Sequence, residues 1–121
     1  MAKNDEFLEQ AAIFRWAEIE QRNLPELEYL NGSLNGVRLT IGQAVKAKRG
    51  GMKKGFPDIS LPVPRGGYHG LFIELKVDKN KPSSEQEAWL ERLVDQGYYA
   101  AVVWGADAAI TLIEFYLRGA R

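Results

Sequence analysis

Two short segments of this chain carry residue types that together can hydrolyse a phosphodiester bond. The first is Gly55-Phe56-Pro57-Asp58, and the second is the apolar run that contains Glu74-Leu75-Lys76. Two carboxylates can hold a divalent cation against a phosphate, and a lysine beside them can orient the attacking water or stabilise developing negative charge. These residue types at this spacing are typical of a metal-dependent nuclease.

Strand geometry must bring the three charged side chains together. Residues 58–63 and 71–77 are both rich in aliphatic side chains, and a Gly-rich turn over residues 64–70 joins them. Because side chains alternate along a strand, Glu74 and Lys76 share one face and Asp58 lies on the corresponding face of the preceding strand. A bound Mg²⁺ or Mn²⁺ would remove the repulsion between the two carboxylates. Each piece alone is common on strands and turns, so the prediction depends on their combination.

Three further residues are candidates with open alternatives. Glu9 lies among apolar residues of the first predicted helix, where it either completes the site or acts as a helix-start acid that faces solvent; Glu20 competes with it. Gln86 lies on the inward face of a later helix and either contacts Lys76 or a site water, or closes a capping box with Ser83. The single histidine, His69, could contact DNA or assist as a base, but it is interpreted as a surface turn residue.

The charge distribution indicates a partner. The 121 residues carry no net charge, yet residues 31–57 contain no acid. A local basic segment can bind a polyanion such as DNA, although a solvated helix face followed by a loop is an equal alternative. The predicted DNA-binding residues are Arg38, Lys46, Lys48, Arg49, Lys53 and Lys54, with Arg65 from the turn.

Composition excludes other chemistry. The chain has no cysteine, which removes disulfides, thiol catalysis and Cys-ligated zinc. It also lacks a serine-hydrolase elbow and a phosphate-binding loop. No apolar run is long enough for a membrane span or a secretion signal, so we expect a cytoplasmic protein.

The apolar periodicity predicts an α/β fold in a single domain over residues 1–121, with a mixed sheet flanked by helices. Asn31-Gly32 and Asn35-Gly36 are turn signals, and a broad apolar face of the first helix includes Leu8, Ile13 and Ile19. The predicted helices cover residues 5–22, 40–49, 84–96 and 106–117, and the predicted strands cover residues 26–30, 58–63, 71–77 and 98–104.

The motifs Gly55-x-Pro57-Asp58 and Glu74-x-Lys76, with Gln86 downstream, resemble the PD-(D/E)XK nuclease superfamily. The long run from Pro64 to Lys76 resembles its virus-type replication-repair nuclease branch, the VRR-NUC domain, in the small stand-alone form of phages and prophages. The resemblance covers nearly the whole chain. One departure is the stretch from Leu39 to Lys54, which lacks the usual basic run directly after Asn35-Gly36.

The resemblance implies a restriction-endonuclease-like core and a Mg²⁺- or Mn²⁺-dependent endonuclease. Asp58, Glu74 and the main-chain carbonyl of Leu75 would bind the metal, Lys76 would position the water, and Glu9 would complete the site. The implied partner is branched DNA such as Holliday junctions, cut by a homodimer in a bacterial or phage-infected cell. Two rival hypotheses remain: a DNA-binding module without activity, and a structural interaction protein whose acids are simply solvated.

Overall fold

The computed structural model of the chain describes residues 2–33 and 38–119. The predicted turn at Asn35-Gly36 lies outside these residues. The elements, in chain order, are α1 (Ala2–Glu20), a 3-10 helix (Pro25–Tyr29), β1 (Asn31–Gly32), α2 (Ile41–Arg49), β2 (Ile59–Leu61), β3 (Leu71–Lys76), α3 (Ser84–Asp95), β4 (Tyr99–Trp104) and α4 (Ala106–Leu117).

The four strands form one mixed sheet in the order β1-β2-β3-β4. β1, β2 and β3 are antiparallel neighbours, whereas β3 and β4 are parallel. A parallel pair requires a crossover connection, and α3 provides it by linking the end of β3 to the start of β4. The prediction of a mixed sheet flanked by helices is confirmed.

One face of the sheet carries the main hydrophobic core. Leu71, Ile73 and Leu75 alternate along β3 and are fully buried. They pack with the adjoining aliphatic residues of β2 against α1 and α4, which contribute Ile13, Ala17, Ala109, Ile113 and Tyr116. Because the even-numbered residues of β3 point the other way, Phe72, Glu74 and Lys76 face the side covered by α3.

A tight turn lies in the connection between β2 and β3. Arg65 and Tyr68 exchange backbone hydrogen bonds of 3.1 and 2.8 Å across Gly66 and Gly67. Both glycines have positive φ, at 57° and 90°, and residues other than glycine rarely adopt such values. This is the pattern of a two-residue hairpin turn whose twist matches that of the strands. The Arg65–Tyr68 pair is offset by one residue from the β2–β3 register, in which Leu61 pairs with Leu71, so one extra residue lies between the turn and the ladder on the β2 side.

Three details differ from the sequence predictions. Asn31-Gly32, predicted as a turn, forms the short strand β1 and pairs with β2. The predicted strand over residues 26–30 is wrong: this segment is the 3-10 helix, with Leu27 and Leu30 donating to carbonyls three residues earlier at 3.0 and 3.1 Å. Pro25 cannot donate to a ladder, and buried residues three apart suit a 3-10 turn. The apolar face of α1 is also narrower than predicted, because Leu8 and Ile19 are more than 60% exposed.

Within the described residues, no helix is both long and apolar enough to cross a membrane.

Candidate active site

The pairing of β2 with β3 places Asp58 opposite Glu74. Ile59 pairs with Ile73 in this antiparallel ladder, so the next step of the register sets Asp58, one residue before β2, against Glu74. Residues opposite each other in an antiparallel pair point to the same face. The two carboxylates therefore lie side by side on the α3 face of the sheet.

The Asp58 side chain is fixed by the backbone of β3. Its Oδ2 accepts a hydrogen bond of 2.8 Å from the N–H of Leu75, and the residue is 5% exposed. The carboxylate thus takes the place of a β2 carbonyl just before that strand begins. In an extended strand the N–H and C=O of one residue point toward the same neighbour, so the Leu75 carbonyl faces the side on which Asp58 lies.

The loop before Asp58 explains the glycine and proline of its motif. Gly55 has φ of 89°, and a Cβ added there would lie 2.8 Å from the backbone carbonyl carbon of Glu85. Only glycine fits where this loop presses against the first turn of α3. The buried Pro57 has a fixed φ and favours extended backbone in the residue before it, which leads the chain into β2 at Asp58.

Glu74 is the most unusual side chain of the site. It is 1% exposed, and neither of its buried carboxylate oxygens accepts a hydrogen bond from any described residue. The nearest cation is Lys76, whose Nζ lies 3.7 Å from Oε2. This distance allows an ion pair but not a hydrogen bond. Buried polar atoms without partners are rare in proteins, and here they face a second carboxylate.

Burial and mutual repulsion shift the titration of both acids. Burial, followed by the charge of Asp58, raises the pKa of Glu74 to about 9, while the charge of Lys76 opposes the shift. Burial also raises the pKa of Asp58, against the lowering effect of its contacts with Glu74, Leu75 and Lys76. Two adjoining carboxylates do not both ionise easily, and the raised pKa values of Asp58 and Glu74 both favour the protonated form.

Lys76 is itself almost buried, with 9% of its surface exposed. Its backbone carbonyl accepts a hydrogen bond of 2.9 Å from Gly105, which anchors the end of β3 beside the start of α4. The ammonium group therefore remains next to Glu74 rather than extending freely into solvent. The structure brings Asp58, Glu74 and Lys76 into one cluster.

The structure gives Glu9 a partner elsewhere. Its Oε1 accepts a hydrogen bond of 2.7 Å from the N–H of Ala106, the first residue of α4. The preceding Gly105 has no side chain to cap that helix, so Glu9 takes this role. Glu20 lies at the far end of α1, where it contacts Asn23. The predicted place of Glu9 in the site stays a prediction.

A different acid of α1, Glu6, was missed by the sequence interpretation. Its negative charge acts on Glu74 and adds to the raised pKa of that residue. Glu6 precedes Glu9 by three residues, slightly less than one helical turn, so both belong to one side of α1. The sequence does carry this spacing, but it does not reveal which turn of the helix approaches the end of β3.

Gln86 and His69 have structural contacts. Gln86 closes a capping box with Ser83: its Oε1 accepts from the Ser83 N–H at 2.8 Å, and its own N–H donates to the Ser83 hydroxyl at 3.2 Å. This confirms one of its two suggested roles, and a contact with a site water stays a prediction. His69 is exposed in its turn, with its ring 5.8 Å from that of Tyr98.

The predicted DNA-binding residues divide into two groups. The first group is Arg65 alone, whose side chain bonds to other parts of the protein. Its guanidinium donates to the Leu117 carbonyl at 3.3 Å and to the Pro64 carbonyl at 2.8 Å, and it pairs with Glu26. This gives it a packing role, and its contact with DNA stays a prediction. The remaining cations are all exposed on α2 and the flanking segments: Arg38, Lys46, Lys48, Arg49, Lys53 and Lys54.

The donor set suits a hard divalent cation. Mg²⁺ and Mn²⁺ prefer oxygen ligands, and the partnerless oxygens of Glu74 beside Asp58 would gain from one. Among residues 2–33 and 38–119, no three His, Cys, Asp or Glu side chains are grouped as a ready-made metal cage. An ion held here would thus rely on two carboxylates, the Leu75 carbonyl, and water or phosphate oxygens.

Comparison with known proteins supports one family. The profile of the VRR-NUC domain matches residues 5–107. Among solved structures, one described as a VRR_NUC domain protein superposes with a TM-score of 0.77 at 32% sequence identity, over 93% of this chain and 88% of that chain. The curated proteins contain no match.

Proposed function

Because this chain belongs to the VRR-NUC family of nucleases, we propose that it is a Mg²⁺- or Mn²⁺-dependent DNA endonuclease that hydrolyses phosphodiester bonds. One observation carries this proposal. The buried carboxylates of Asp58 and Glu74 adjoin Lys76, and the Glu74 oxygens have no hydrogen-bond partner in the described residues. Such a cluster is costly to bury unless a cation or a substrate compensates its charge.

Each residue of the cluster has a task in hydrolysis. Asp58, Glu74 and the Leu75 carbonyl would hold the ion. A bound divalent cation supplies charge that polarises a phosphate and lowers the pKa of a coordinated water. The Lys76 ammonium, held at the edge of the cluster, donates to the attacking water or to the phosphate oxygens as negative charge develops. The hydrogen bond from the Leu75 N–H already holds the Asp58 carboxylate in place, so this carboxylate need not move when the ion binds.

Branched DNA, including Holliday junctions, is the substrate class that we propose, with a homodimer presenting two sites to two strands. The exposed cations of α2 support an electrostatic contact with the DNA backbone. A closed two-fold dimer would match the symmetry of a four-way junction. Sedimentation of the purified protein, alone and with a four-way junction, tests the dimer.

The activity test compares labelled four-way, flap and linear DNA with Mg²⁺, Mn²⁺ or EDTA. We expect cutting only with a divalent cation, and losses of at least about a hundredfold for Asp58→Asn and Lys76→Ala. The matched control is Glu18→Gln, an exposed acid of α1 that should cut normally. Cutting in EDTA or by Asp58→Asn would refute the metal mechanism.

The same assay addresses the rival DNA-binding module. If the wild type binds junctions but cuts none of the three substrates, and Lys76→Ala leaves binding unchanged, the chain is a binding module. A preference for linear duplex would reject the junction substrate while leaving the nuclease.

A further inference from the structure

A groove with an aromatic floor and a cationic rim lies on the α3 face of the sheet. We call it the Trp89 groove and define it by Met52, Lys53, Lys54, Phe56, Trp89 and Arg92. It consists of a largely apolar depression of about 640 Å³ and an adjoining one of about 380 Å³, which share Lys53 and Trp89. The segment from the end of α2 forms one wall and α3 forms the other.

The floor of the groove is a set of packed aromatic rings, two of which belong to the loop and strand that carry the acidic cluster. Phe56 packs edge-on against Trp89 at 5.1 Å and against Phe72 at 5.6 Å between ring centroids. Phe56 precedes Asp58 by two residues, and Phe72 precedes Glu74 by two on the same strand. The aromatic floor therefore lies within two residues, along the chain, of each carboxylate.

The rim has a cationic surplus. Lys53, Lys54 and Arg92 are exposed around the groove, and one carboxylate opposes them: Glu85, which lies 3.8 Å from the Lys54 ammonium. The Arg92 guanidinium lies 5.2 Å from the centre of the Trp89 ring. The pair thus presents a stacked aromatic and cationic surface that is partly open to solvent.

We propose that the Trp89 groove binds unpaired nucleotides of the DNA substrate, with a base against the Trp89–Arg92 pair and phosphates on Lys53 and Lys54. Duplex DNA presents phosphates to such a rim. Its bases, however, are stacked inside the double helix and cannot stack on the aromatic floor. Unpaired bases stack on aromatic rings and on guanidinium planes, and cations follow their backbone. This combination selects a single-stranded arm over continuous duplex.

The inference rests on the proposed function because it takes DNA as the substrate, and its test separates the two. Binding is measured in EDTA with a labelled single strand, an abasic strand of the same length and charge, and a blunt duplex. We expect the wild type to bind the single strand about tenfold more tightly than the abasic strand, which is the scale of one or two stacked bases. We also expect tryptophan emission to fall on binding, and Trp89→Phe to lose that decrease although Trp16 and Trp104 remain.

Arg92→Gln provides a surface variant that does not disturb the packing of α3. It should lose the preference for bases severalfold, while Arg15→Gln, an equal charge change on exposed α1, should keep it. Equal binding of abasic and normal strands by the wild type, or equal weakening of all three ligands by Arg92→Gln, would overturn the inference. Cutting without base preference rejects the groove alone, whereas base-dependent binding without any cutting rejects the nuclease alone.

Discussion

Glu74 lies in an environment that opposes its own charge. Burial and the adjoining Asp58 carboxylate both favour the protonated form, and one ammonium group at 3.7 Å only partly compensates. In the unfolded chain the same side chain is in water and ionises normally. When the chain folds without a cation at a pH above the ordinary pKa of glutamic acid, Glu74 takes up a proton. The free energy of unfolding therefore depends on pH.

The sign of that linkage gives the first prediction at the residue scale. The pKa of Glu74 is higher in the folded state than in the unfolded state. The stability that this group contributes is therefore fully present below about pH 4.5 and is lost as the pH rises toward about 9. Glu74→Gln removes this titration. The measurement is the free energy of unfolding in urea with EDTA. We expect its difference between variant and wild type to grow from pH 5 to pH 9, to the order of a few kcal/mol. Glu18→Gln serves as the exposed control, and parallel curves for Glu74→Gln and wild type would contradict the shift.

At the scale of elements, the close approach of the Gly55 loop to α3 holds Asp58 and α3 in one arrangement. The capping box at Ser83 begins α3 at a defined residue, and Gly55 lets the loop contact that first turn. The Trp89 groove and the acidic cluster share this junction. A defect here should therefore disturb both.

Gly55→Ala tests the junction. Its φ of 89° is strained for alanine, and the new Cβ would lie 2.8 Å from backbone atoms of Glu85. Gly51→Ala is the matched control, because Gly51 also has positive φ, at 99°, but has open space around it. We expect about 1 kcal/mol of destabilisation for Gly51→Ala and at least about 2 kcal/mol more for Gly55→Ala, measured by urea unfolding. Equal destabilisation by the two substitutions would show that α3 can move away from the loop without a loss of stability.

Elements with strong local signals were predictable from the sequence. Capping residues and apolar periodicity located α3, β3, β4 and α4 to within one or two residues, and strand alternation placed Glu74 and Lys76 on one face. The 3-10 helix was not predictable because a five-residue segment in which acids alternate with apolar residues satisfies either strand or turn. The contacts of the α1 acids were not predictable either, because they depend on which helical turn approaches β3 and on the need of α4 for a cap.

At the scale of the whole molecule, zero net charge conceals a separation of charge. The acid-free stretch of residues 31–57 places its cations on α2 and its flanks, and α2 has no buried residue. A short helix that contributes nothing to the core, yet carries three cations in its last turn, is suited to contact a polyanion. Long-range attraction then depends on this local surface rather than on the total charge.

Salt dependence of DNA binding tests this separation. Each phosphate neutralised by a lysine or arginine contributes about 0.9 to the slope of log affinity against log salt. We expect the triple variant Lys46→Gln, Lys48→Gln and Arg49→Gln to lower the slope by about 2 to 3, measured by fluorescence anisotropy in EDTA. The triple variant Arg15→Gln, Arg22→Gln and Arg118→Gln removes the same charge from exposed positions outside α2 and should leave the slope nearly unchanged. If both variants lower the slope equally, binding follows net charge rather than a local contact, and α2 is not the DNA-contacting surface.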